Sequence, residues 1–323
     1  MHDRENALKE WLHTLIKHND FILSPLFGDA SFRRYFRLEY EGLRRVVMDA
    51  PPPKEDVVPF IRIGKTLAQA GIRTPELFAE DIQQGFLILG DFGDQLLLHK
   101  LNAHTVDGYY NQAIDTLFKL QECSINDPKL LPFDKEFMLR EMNLCIEWFF
   151  NAYLSLHFED KELQLIQQTM ESIAREVSQQ PLVFMHRDYQ SRNLMLLDDN
   201  DLGVIDFQDA VRGPVTYDLV SLLKDCYISW PRAKVLEWVS VFHAKSTHTS
   251  GYSLPEFIRA FDMCGLQRHL KVLGIFCRLK LRDNKSGYIK DLPLTLKYVL
   301  ECTETYEEFH PFYELLQKKV YLP

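Results

Sequence analysis

The sequence predicts an α+β protein of two lobes, a small antiparallel sheet followed by a mainly helical body. Three observations carry that reading. Short apolar runs separated by turn residues fill residues 21–93, apolar residues then recur at helical spacing from Gln95 onward, and one group of strand-length apolar runs, at 182–206, interrupts the helices. The boundary falls between a sheet lobe over residues 1–93 and a helical lobe over residues 94–323.

Leu8, Trp11, Leu12, Leu15 and Ile16 lie at helical spacing, so the first twenty residues read as an amphipathic helix ended by Asn19-Asp20. FILSPL, RRYFRLEY and LRRVVMDA read as three strands; GDAS joins the first two, and Glu41-Gly42 turns the chain into the third. A helix over residues 54–70 stops at GIRTP, and ELFAEDI and GFLILGDFG complete a sheet of about five strands. Helices follow over residues 109–122, 137–156 and 163–179. Next come an apolar run (PLVFM), a polar loop (HRDYQSRN), a second run (NLML), a turn (DDNDLG) and a third run (GVIDF). The turn lets the last two runs pair as a hairpin. Gly213-Pro214 reads as a helix start with proline early in it, continued by YDLVSLLKDCYISW, and four further helical segments run to Pro323. There is no internal repeat, low-complexity tract or long linker.

Composition narrows the function. The chain has 323 residues, 46% hydrophobic and 26% charged, enough for two cores. A net charge of −9 excludes the basic field of a nucleic-acid binder. Six scattered cysteines (123, 145, 226, 264, 277, 302) form no CxxC pair and read as reduced, buried thiols rather than a disulfide framework or a zinc site. The N-terminus is charged with no apolar signal region, and no run approaches a membrane span, so the expectation is a soluble cytoplasmic protein. Oligomeric state is not legible.

The chemistry concentrates in residues 184–206. Asp188 stands in H-R-D, Asn193 follows five residues later, and Asp206 closes the next apolar run. A lone H-x-D is noise; the three together have the spacing of a phosphotransferase catalytic loop. One carboxylate, Asp188, orients an attacking hydroxyl and accepts its proton. Asn193 and Asp206 present oxygen ligands to a magnesium ion carrying nucleotide phosphates. His186 reads as a residue packing the loop. Arg187 and Arg192 flank the base and are candidates for contact with the γ-phosphate or with an acidic group of the substrate. No Cys or Ser sits in a nucleophile setting, so no phospho-enzyme is indicated.

With these residues the sequence resembles the aminoglycoside phosphotransferase/choline kinase family, relatives of the protein kinases. Within it, GDASFRRYFR, VVMDAPPP, HRDYQSRNLM and DFQDAVRGPVTYDLVSLLKDCY are similar to the bacterial anomeric N-acetylmuramate/N-acetylglucosamine kinases. The resemblance covers about residues 28–230 and fades in the last third. It implies a two-lobe protein-kinase-like fold with a cleft between the lobes, and ATP and Mg2+ as cofactors. The strand–turn–strand around Gly28 becomes a nucleotide lid, where backbone N–H groups around Asp29 and Ser31 and the Ser31 hydroxyl reach the terminal phosphates. Backbone groups near Leu89 and Asp91 become the hinge that reads adenine. The DFG at 91–93 precedes H-R-D and so is not the metal-binding DFG; its counterpart is Asp206-Phe207-Gln208, with Gln in place of Gly. Asp218 anchors the catalytic-loop backbone, as is typical of the family.

One departure stands out. Met48 and Asp49 occupy the place of the strand lysine that contacts the α- and β-phosphates, and no glutamate stands mid-helix in 54–70 to pair with it. Arg33 or Arg34 is the candidate replacement, since strand alternation points one of them inward; two solvated arginines are the other reading.

The substrate implied by the resemblance is a small amino sugar, N-acetylmuramate or N-acetylglucosamine, phosphorylated at its anomeric hydroxyl in cell-wall recycling. Asp209 and Asp225 are candidate substrate contacts, Asp225 either bonding a sugar hydroxyl or capping a polar patch. Trp148 either stacks on a sugar ring or packs the core. Two acids are few for a polycationic antibiotic. The alternatives are an aminoglycoside or other small-molecule hydroxyl phosphotransferase of the same fold, and a nucleotide-binding pseudokinase scaffold. The missing lysine favours the scaffold; the presence of Asp188, Asn193 and Asp206 together opposes it.

Overall fold

Packing divides the chain into two units, Met1–Gln95 together with Met195–Asp209, and Leu96–Leu194 together with Ala210–Pro323. The computed structural model describes residues 2–16, 20–26 and 32–322. Asn19, Gly28, Asp29 and Ser31, and with them most of the expected lid turn, lie outside the described residues.

The first unit is built on an antiparallel sheet of five strands, β1 (Ile22–Leu26), β2 (Arg34–Tyr40), β3 (Leu43–Asp49), β4 (Leu77–Asp81) and β5 (Phe86–Gly90), in the order β1-β2-β3-β5-β4. Glu41 and Gly42, at φ 49° and 76°, make the tight β2–β3 turn that pairs Tyr40 with Leu43. Helix α1 (His2–Leu15) lays Leu8 and Leu12, followed by Ile16, on Leu38, Val47, Phe86 and Ile88 of one sheet face. The residues i, i+4 and i+8 form that stripe; Leu15, expected to share it, is exposed. Helix α2 (Val58–Gln69) starts after the expected residue 54, with Pro59 in its first turn.

The hairpin of β7 (Leu194–Leu196) and β8 (Leu202–Val204) forms as expected from its turn. From Met195 onward it groups with the sheet and not with the helices around it in sequence. Leu196 N–H donates to Gln95 C=O and Val204 N–H to Arg73 C=O, both at 2.8 Å, and the Phe207 ring lies 4.7 Å from Phe60.

The second unit comprises α3 (Val106–Gln121), α4 (Lys135–Leu144), α5 (Asp160–Val177), β6 (Leu182–Met185), β9 (Val211–Pro214), α6 (Tyr217–Leu223), α7 (Arg232–Lys245), α8 (Leu254–Leu281), α9 (Leu292–Thr305) and α10 (His310–Lys319). Two expectations are corrected here. Gly213-Pro214 does not open a helix; it ends β9, antiparallel to β6 with Val183 opposite Gly213, and the helix waits until Tyr217. A Cβ at Gly213 would sit 2.4 Å from Met185 Sδ, so the glycine leaves room for the Met185 side chain of β6. The single helix expected over 137–156 is α4 followed by a π-helical stretch, Cys145–Tyr153. At the junction α8 presses its backbone in at Gly274, whose Cβ would meet the Leu144 carbonyl.

Helix α8 is the axis of this unit. It opens on a Ser253/Glu256 capping box, and Phe257, Phe261, Leu266, Leu270 and Leu273 bury different faces of it. The six cysteines are free and buried. No helix among the described residues is long and apolar enough to cross a membrane.

Candidate active site

The loop between β6 and β7 carries Asp188, and its shape is imposed from several sides. Both oxygens of buried Asp218, at the start of α6, accept main-chain bonds, from His186 N–H at 2.7 Å and Arg187 N–H at 3.0 Å. The expected anchoring role of Asp218 is met. Arg187 takes φ 76°, a conformation that costs an L residue about 1–3 kcal/mol, and the Asp218 clamp holds it there. Asn193 Nδ2 donates back to Asp188 C=O at 2.9 Å. His186 is fully buried, and its ring accepts the Asp188 N–H at 3.3 Å, so it packs the loop as expected.

The Asp188 carboxylate takes no hydrogen bond from any described residue. Burial opposes its ionisation, and Lys271, Arg268 and Arg187 outweigh burial, holding the carboxyl below the usual carboxylate range. The sequence reading missed Lys271 and Arg268. They lie one turn apart on α8, in the last third where the resemblance fades. Arg268 donates to Gln190 of the loop at 3.0 Å, and Lys271 Nζ lies 3.4 Å from the Tyr217 hydroxyl. The available signal was a pair of cations three apart in a helix apolar on every face, a pattern that calls for buried partners.

The two arginines beside the base differ. Arg187 is neutralised by Glu141 of α4 at 2.7 Å. Arg192 makes no ion pair among the described residues; its guanidinium lies over the rings of Tyr227 and Tyr288, 4.7 and 5.6 Å from their centroids. Of the two readings of Asp225, the polar-patch one fits its surroundings: it is fully buried and accepts from the Ser191 amide (3.0 Å), the Ser191 hydroxyl (2.5 Å) and the Tyr227 amide (3.1 Å), so it holds the loop. Trp148 is half-buried on the π-helical stretch.

In the first unit, Asp206 is exposed just beyond β8, at φ 63°, with Gln208 Nε2 bonded to its Oδ1 at 2.8 Å; exposed Asp209 shares that nitrogen at 3.4 Å. Strand alternation separates the two lid arginines. Arg34 turns to buried Asp49, which also pairs with Arg4 at 2.7 Å, so Arg34 compensates a buried carboxylate. Arg33 goes to the opposite face, paired with Glu55 at 3.0 Å, where Arg33, Glu55 and Asp206 all act on the Tyr35 hydroxyl. Leu89 is buried in β5 opposite Val46, and Gly90 N–H is bonded to Glu76 C=O. The Asp91 side chain is taken by Arg37 (2.8 Å) and the Gly93 amide (2.8 Å), an anchoring role unlike that of a metal-binding DFG.

Among the described residues no three His, Cys, Asp or Glu side chains gather as a metal site. Asn193 and Asp206, the expected magnesium ligands, each carry an oxygen donor of the kind a hard cation takes; Asn193 Nδ2 donates to Asp188 C=O within the second unit, and Asp206 Oδ1 accepts from Gln208 within the first.

A model of the phosphotransferase enzyme family matches residues 22–252. The chain belongs to that family. The N-acetylmuramate/N-acetylglucosamine kinase of Pseudomonas putida is 40% identical over 319 residues, covering 96% of this chain and 93% of its own. The kinase of the same name from Pseudomonas aeruginosa is 40% identical over 299 residues, covering 91% and 87%. An ADP-bound aminoglycoside phosphotransferase, 19% identical, superposes with a TM-score of 0.60 over 91% of this chain and 97% of its own. The fold is therefore the protein-kinase-like one, an antiparallel sheet lobe and a helical lobe, and the phosphotransferase is an enzyme.

Proposed function

We propose that this phosphotransferase is an ATP-dependent kinase of N-acetylmuramate and N-acetylglucosamine, acting on the anomeric hydroxyl in the cytoplasm as part of cell-wall sugar recycling. One observation carries the reading: Asp188 presents an ionised carboxylate without a hydrogen-bond partner among the described residues, on a loop clamped by Asp218, Asn193 and Asp225. The choice of sugar rests on the two relatives at 40% identity.

Asp188 orients the sugar hydroxyl and takes its proton as the oxygen attacks the γ-phosphorus. The new O–P bond forms as the bond from that phosphorus to the β–γ bridging oxygen breaks. ADP leaves, and the proton passes from Asp188 to solvent. Asn193 Oδ1 and the Asp206 carboxylate would hold magnesium, which would neutralise phosphate charge. Arg33 supplies the fixed cation in place of the absent strand lysine. The backbone near Leu89 and Asp91 meets adenine.

The test is ADP release by purified protein with ATP and Mg2+ against the two sugars, choline and an aminoglycoside, with phosphorus NMR on the product. The expected result is a sugar 1-phosphate from both amino sugars. Release with the aminoglycoside alone, or with no acceptor, overturns the reading.

A further inference from the structure

The loop that carries the base also carries a cation the phosphoryl-transfer scheme does not use. Arg192 lies four residues beyond Asp188, half-buried, with no carboxylate at ion-pairing distance among the described residues. Asp291 acts on it electrostatically from beyond that distance. A guanidinium partly withdrawn from water with no anion beside it is a standing vacancy for one. Arg187 shows the contrast, since Glu141 already fills that role for it.

Arg192 rests on an aromatic support. Tyr227 and Tyr288 lie under the guanidinium, and both rings rest on Phe276 of α8, at 6.2 and 5.4 Å between centroids. Asp225 ties the assembly together, since one buried carboxylate holds Ser191, the residue before Arg192, and the Tyr227 amide. An arginine over aromatic faces keeps its charge and gains orientation, and tyrosine faces also suit the C–H surface of a pyranose.

We infer that Arg192, fixed over Tyr227 and Tyr288 by the Asp225 clamp, binds the carboxylate of an anionic sugar acceptor and sets preference between acidic and neutral amino sugars. This rests on the function proposed above. N-acetylmuramate carries a lactyl carboxylate and N-acetylglucosamine carries none, so the two acceptors differ in the one group Arg192 would read. A cation here also repels a polycationic aminoglycoside.

The experiment compares kcat/KM for the two sugars in wild type, Arg192→Gln and Arg192→Lys. In Arg192→Gln the ratio of N-acetylmuramate to N-acetylglucosamine falls roughly ten- to hundred-fold, the loss expected for one charge-assisted bond made by one substrate only. Arg192→Lys recovers part of that ratio. An unchanged ratio with both sugars weakened equally, or a rise in ATP KM of the same size for both, overturns the assignment and places Arg192 on the phosphate or in the loop's structure. The ratio is internal to each variant, so partial misfolding cannot mimic the expected result. Wild-type protein that phosphorylates neither sugar and binds no N-acetylmuramate by calorimetry overturns the function and the assignment together; turnover of both with an unchanged variant ratio overturns only the assignment.

Discussion

Gln208 donates its side-chain amide to Asp206 Oδ1 at 2.8 Å and is itself almost fully buried. Where the protein-kinase pattern has glycine, this chain has a side chain that steadies the carboxylate proposed to hold magnesium. In Gln208→Ala, the Mg2+ concentration giving half-maximal velocity rises roughly ten-fold, as when a ligand loses its supporting hydrogen bond. A magnesium titration of ADP release checks this; an unchanged midpoint means Asp206 needs no such support.

Arg33 and Arg34 are adjacent and differ in what they face. Arg33→Ala is expected to lower kcat/KM for ATP roughly ten- to hundred-fold while leaving AMP binding little changed, since AMP lacks the β- and γ-phosphates. Arg34→Ala acts on stability, because buried Asp49 keeps only Arg4; unfolding in urea should register a loss of about 1–3 kcal/mol. The reverse pattern, stability lost at position 33 and ATP affinity at 34, would exchange the two roles.

Asp218 should shape the dependence of stability on pH. Burial pushes its carboxyl up from 3.8 to about 7, against the two amide bonds that favour ionisation. A raised carboxyl pKa means the folded state holds a proton the unfolded state has released. Its contribution is therefore full below about 4 and lost as pH rises towards about 7, up to ~4 kcal/mol. Asp218→Asn does not titrate, so the stability gap between wild type and variant narrows across that window. A gap that is constant or widens shows the carboxylate to be ionised in the folded protein.

Gly274→Ala tests the packing axis. The added Cβ meets the Leu144 carbonyl at 2.2 Å, and backbone on both sides leaves no side chain able to turn away. Stability falls by about 1–3 kcal/mol or more, read by urea unfolding. Wild-type stability would show that α8 moves away from the π-helical stretch at little cost.

The helix and strand periodicities, the DDNDLG turn and the spacing of Asp188, Asn193 and Asp206 were all legible in the sequence, because each depends on contacts between near neighbours along the chain. The same holds for the Glu41-Gly42 turn. Asp218 was legible only through the family resemblance. What tertiary structure decided are the pairings between residues far apart, where the local signal was neutral or misleading. Gly213-Pro214 carries a helix-start signal, and β6 overrode it by pairing with that segment. Alternation said that Arg33 and Arg34 diverge; only Asp49 on β3 and Arg4 on α1 determined which turned away. The sequence left Asp225 between a sugar contact and the cap of a polar patch, and its burial with three donors favours the second. Lys271 and Arg268, invisible to motif spacing, reach the catalytic loop because α8 runs behind it, and a buried charge acts on whatever the fold places beside it, however distant in sequence.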